Sequence, residues 1–171
     1  MFLFRKKFAR RFFSLIPLFI LFYLVCSETD FNFEKLSFLS FNLIYIVIFY
    51  WVLKNPDILG YGFIFLAGIV NDVIIGLPIG VSSITYLVLA GFAAYVRYLT
   101  VAPSLIYDWI VFVPSIAVTN SVYFYILRIF FDIEVNYIAL ALNASITILL
   151  YPIIGILFNF LSKIIIVRKN V

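Results

Sequence analysis

Apolar runs leave this chain little room for any fold that water could surround. Six of them, at 12–27, 36–53, 58–75, 81–96, 107–127 and 135–161, follow one another with only short polar breaks. Of the 171 residues, 66% are hydrophobic and 12% charged, and the charged share is about half the ~25% of soluble domains. No soluble core could hide that much apolar surface, so the lipid bilayer is the solvent that fits. The runs are continuous and lack the period-two alternation of barrel strands, so each reads as a helix. The expectation is an all-α integral membrane protein, with one six-helix membrane domain over residues 1–171.

The charges point to an orientation. Six spans put both termini on one side. The arm and loops on that side hold Arg5, Lys6, Lys7, Arg10, Arg11, Lys54, Arg97, Lys163, Arg168 and Lys169, ten of the twelve basic residues. The far side holds only Lys35 and Arg128, together with Glu28, Asp30, Glu34, Asp132 and Glu134. By the positive-inside rule both termini face the cytoplasm. The net charge of +4 is then a topology signal and an attraction to anionic lipid, not a nucleic-acid footprint. The first run is expected to stay as a helix, because Ser27-Glu28-Thr29-Asp30 offers no small-residue cleavage site. Pro17 is expected to bend it.

Polar groups inside the spans are few, and they cost energy unless they face protein or water. Asp72 lies fourteen residues along the third run, about 21 Å up a ~30 Å hydrocarbon core. By the same arithmetic Asn120 sits at about 20 Å and Asn143 about 12 Å below the outer face. The similar depths predict one internal polar layer of Asp72 (with Asn71), Asn120 and Asn143, with Arg128 as countercharge. Glue between helices, a ligand or coupling site, and a catalytic aspartate are the three roles such a layer can have. Glue predicts that Asp72→Asn is tolerated.

Around Asp72 the spacing is Gly68-x-x-x-Asp72-x-x-x-Gly76-x-Pro78-x-Gly80. Gly76 and Gly80 have the small-xxx-small spacing of close helix contacts, but Pro78 between them favours a tight re-entrant turn. Gly68, with Ala90 and Ala94 on the fourth run, suggests close packing. Lys54-Asn55-Pro56-Asp57 breaks the second run from the third. Ser104 is placed to cap the fifth, and the sixth is expected to bend near Pro152.

Enzymatic chemistry finds little support. The chain has no histidine and a single cysteine, so histidine triads, common zinc sites and an internal disulfide are excluded. Asp57 and Asp108 read as helix-start acids that complement the dipole. Asp72 and Asp108 are expected near opposite faces, which argues against a two-aspartate membrane protease. No catalytic residue, metal site or cofactor is expected, and no lipid-processing acid–base pair is evident.

The Pro56 break, the glycine–aspartate turn, the small-residue helix after it and the closing Arg97 together resemble the rod-shape-determining membrane protein family MreD. The resemblance covers residues 54–97; elsewhere it extends to span number and hydropathy. It implies a non-enzymatic scaffold of the bacterial cell-elongation machinery in the cytoplasmic (inner) membrane. The implied partners are an MreC-type bitopic protein and, through it, the MreB filament, the RodA glycosyltransferase and a penicillin-binding transpeptidase. It also implies a fold similar to the substrate-binding subunit of energy-coupling-factor vitamin transporters, with Gly68, Asp72, Gly76, Pro78 and Gly80 shaping the turn. A rival reading is a small-molecule transport subunit of that kind, which would show an outward-facing cavity with convergent polar groups.

Overall fold

The computed structural model describes residues 15–27, 41–56, 58–100 and 104–170, with side chains to Ser162. Six helices follow in order: α1 Ile16–Cys26, α2 Leu43–Lys54, α3 Tyr61–Ile75, α4 Val81–Leu99, α5 Leu105–Tyr125 and α6 Tyr137–Asn170. A π-helical turn, Ile126–Phe130, extends α5. Among the described residues there is no strand. Three helical stretches are long and apolar enough to cross a membrane: Val81–Leu99, Leu105–Phe130 and Tyr137–Ser162. The first three helices are apolar but shorter, at 11, 12 and 15 residues.

Local chemistry accounts for the boundaries. Pro17 falls in the first turn of α1, where its missing N–H has no intrahelical partner to lose; it starts this helix and does not bend it. The second run begins its helix at Leu43, because Asn42 caps it: the Asn42 side chain accepts from Tyr45 N at 3.2 Å. The Asn42 N–H donates to Thr147 Oγ1 on α6 at 2.9 Å. Non-helical backbone is tolerated in a bundle when its polar groups are met in this way. Asn55 ends α2 through its N–H to Trp51 O at 2.7 Å. Ser104 caps α5 as expected, accepting from Tyr107 N at 3.2 Å. Asn136 caps α6, accepting from Ile138 N at 3.0 Å and Ala139 N at 3.2 Å. Pro152 is carried inside a continuous α6 without a break, and Arg97 lies in the last turn of α4 and not in a loop. The expectations for the basic arm, the acidic loop at 28–35, the start of the second run, Asp57 and Lys163, Arg168 and Lys169 side chains fall outside the described residues.

The bundle is built around α2. Ten successive residues, Ile44 to Leu53, are buried on all sides of it, as expected for a helix that is apolar all round and enclosed by protein. It packs against α1, α4 and α6, while α3 packs on α4, α4 on α5 and α5 on α6. Phe49 of α2 meets Phe112 of α5 at 4.9 Å and Tyr151 of α6 at 5.9 Å between ring centroids. Phe112 and Tyr151 close the triangle at 4.3 Å.

α3 and α4 approach closely at Gly68. A Cβ on Gly68 would lie 2.5 Å from Ser83 N, and Ser83 Oγ donates to Phe65 O at 2.9 Å. The neighbour of Gly68 is therefore Ser83; Ala90 is fully buried and Ala94 half-buried elsewhere on α4. Because the obstacle is backbone, Gly68→Ala is expected to destabilise the bundle by about 1–3 kcal/mol. Gly91→Ala, which would meet nothing within 4 Å, should be neutral. Thermal denaturation in detergent compares the two directly.

Candidate functional site

The polar residues gather at opposite ends of the bundle. One end is formed by the C-termini of α1, α3 and α5 and the N-termini of α2, α4 and α6. There Gly76 ends α3 at φ 71° and Gly80 begins α4 at φ 106°. Both angles lie in the left-handed region that glycine alone enters at little cost. A Cβ at either would meet nothing within 4 Å. Their spacing thus serves the turn and not a close helix contact.

Asp72 completes that turn. Gly80 holds the N-cap position of α4 and has no side chain to cap with. Asp72, fully buried, reaches across and supplies the missing acceptor: Oδ2 accepts from Gly80 N at 2.7 Å and Oδ1 from Ser82 N at 2.9 Å. Charge-assisted bonds at a helix N-terminus satisfy orphan donors and complement the dipole. Asn71 Nδ2 donates to Ser82 Oγ at 3.0 Å, a second tie across the same turn.

Beside the turn lies a half-open cavity of about 990 Å³. Asn71 from α3, Asn120 from α5 and Asn143 from α6 all line it, with Ser82 and Thr85 from α4. Asn120 and Asn143, expected at one depth with Asp72, thus reach one cavity together with Asn71. Asp72, expected in the same layer, does not line the cavity; both its oxygens accept from backbone N–H groups at the start of α4. Arg128 is not its countercharge either. That guanidinium sits 3.7 Å from Asp132, and both side chains are exposed; an ion pair of this kind contributes little. The π-helical turn that carries Arg128 instead brings Leu127 to the cavity wall, and Leu127 O accepts from Ile133 N at 3.1 Å.

The other end holds a contact that the sequence argument missed. Lys54 Nζ, at the last residue of α2, lies 2.7 Å from Asp108 Oδ2 in the first turn of α5. Asp108 is almost wholly buried and Lys54 largely so. The 2.7 Å separation is an ion-pair distance, yet neither Asp108 oxygen meets hydrogen-bond geometry with a described residue. We read it as charge pairing, since the attraction between buried charges survives imperfect angles. The Tyr151 hydroxyl and Trp51 Nε1 are likewise buried without a hydrogen-bond partner among the described residues. The available signal was the shared expected side of Lys54 and Asp108. Asp72 and Asp108 lie at opposite ends of the bundle, so no two-acid pair forms between them. Among the described residues no cluster of three metal-ligating side chains occurs.

Comparison of the chain with protein-family models, with curated proteins and with solved structures returns no match.

Proposed function

We propose that this chain is a six-span, MreD-type scaffold of the bacterial cytoplasmic membrane. In this reading it has no catalytic activity of its own and acts with an MreC-type bitopic partner in lateral wall synthesis. The observation that carries the reading is the α3–α4 unit. The residues on which the family resemblance rests have specific structural work: Gly68 against Ser83, Asp72 across the turn, Gly76 and Gly80 at positive φ. They serve packing and turn geometry, as a scaffold requires. The orientation fits as well, with Lys54 and Arg97 at the end opposite the cavity. α2 is enclosed by protein, so its described length need not match the bilayer. Co-purification in detergent is expected to capture the bitopic partner in stoichiometric amount, and depletion is expected to round the cells. Absence of capture together with normal rod shape on depletion would overturn the scaffold reading.

The cavity favours a second reading, a small-molecule transport subunit. Its amide lining and its place at the end away from Lys54 are what such a subunit needs. Depletion that leaves cell shape intact and abolishes uptake of a small solute selects this reading over the first.

A further inference from the structure

The lining of the cavity narrows what could occupy it. At about 990 Å³ it stands at the upper end of ligand pockets, which run from roughly 300 to 1,000 Å³. Its described lining contains no lysine or arginine, and its one acid, Glu134, is exposed. Asp72 is engaged by backbone N–H groups and contributes no charge to the wall. A phosphate or carboxylate entering here would lose hydration with no cation of the described lining to replace it. A bare acyl chain would leave the Asn120 amide without a partner, which is also unfavourable.

The polar groups are of one kind. Asn71, Asn120 and Asn143 each carry a paired donor and acceptor, and they come from three different helices. Asn71 is tied to Ser82. The half-buried Asn120 side chain has no hydrogen-bond partner among the described residues and borders the cavity. Tyr45, Tyr86 and Tyr123 add aromatic surface beside these amides. Amide forks next to aromatic rings match ligands that present hydroxyl or amide edges and apolar C–H faces.

We propose that the cavity is a binding site for an uncharged, hydroxyl- and amide-bearing small molecule of mono- to disaccharide size, with Asn120 as a direct hydrogen-bonding contact. The site goes beyond the scaffold reading and does not depend on it. It is also the site on which the transport reading would rest, so binding is measured separately from partner capture and from uptake.

The test is titration calorimetry on the full chain in detergent. The probes are glucose, maltose, N-acetylglucosamine and N,N′-diacetylchitobiose, with glucose 6-phosphate and N-acetylglucosamine 6-phosphate as anionic counterparts. At least one neutral sugar is expected to bind saturably, and its phosphate at least about tenfold more weakly. Asn120→Leu fills the space without removing a protein hydrogen bond and is expected to weaken binding by about tenfold or more. Ser145→Ala, whose hydroxyl bonds only its own helix at Ala141 O, should bind as wild type. Should Asn120→Leu fail to elute as a single species, Asn120→Ala removes the amide without added bulk and carries the same expectation. The proposal is overturned if no neutral sugar binds at up to about 10 mM, if the phosphate binds as tightly as its neutral sugar, or if loss of the Asn120 amide leaves affinity unchanged. Partner capture with no sugar binding would leave the scaffold reading standing and remove this one.

Discussion

Lys54→Met is expected to destabilise the bundle by about 3–5 kcal/mol, the range for removing one partner of a buried ion pair. Methionine keeps most of the length and the apolar stem of lysine, so packing changes little. What is lost is the ammonium 2.7 Å from Asp108 Oδ2. Asp108 is then left buried, with a charge that no other described cation meets within ion-pair distance. Asp108→Asn added to Lys54→Met is expected to recover much of the loss, because the uncompensated charge disappears. Denaturation of the single and double variants in detergent gives the coupling between the two sites. A Lys54→Met effect below roughly 1 kcal/mol would mean that the pair behaves as a solvated surface contact and not a buried one.

Asp72→Asn is expected to cost about 2–4 kcal/mol, from one orphaned buried N–H and the loss of charge assistance at the other. This reverses the expectation from sequence that the substitution is tolerated. The carboxylate receives two backbone donors, Gly80 N and Ser82 N. An asparagine oxygen can meet one of them, but its amide group then points a donor at the other. The damage falls on the α3–α4 turn and so on the amount of folded protein. Partner capture per folded molecule should be unchanged. An Asp72→Asn variant with wild-type melting behaviour would show that the capping bonds contribute little. One that melts normally but loses partner capture would give the charge a role outside the fold.

The two sites were legible in the sequence to different degrees. The turn at Gly76–Gly80 was readable because glycine and proline at that spacing permit few backbone paths. The similar depths expected for Asp72, Asn120 and Asn143 followed from helix rise alone; of these, Asn120 and Asn143 line one cavity, together with Asn71. The acceptor role of Asp72 did not follow, since it depends on backbone N–H groups eight and ten residues further on and on how the turn aims them. Asp108 was read through its own helix, as a dipole acid. Its partner is on α2, and a charge on another helix carries no local signature. Pro17 was misjudged for a smaller reason: the same residue bends a helix when interior and starts one when it lies in the first turn, so a boundary shift of a few residues changes its meaning.

Sequence alone determined that this chain is helical and apolar, and where most of its helices break. Those properties reside in residue type and in spacing along the chain. Only the tertiary structure decided that α2 is the enclosed helix, that Gly68 seats Ser83, that Asp72 caps α4 and that three asparagines face one cavity. The physical reason is the solvent. Lipid and a neighbouring helix are equally apolar to a leucine or a phenylalanine, so hydropathy cannot rank the faces of a membrane helix. The ranking comes from packing and from where each buried donor and acceptor finds its partner.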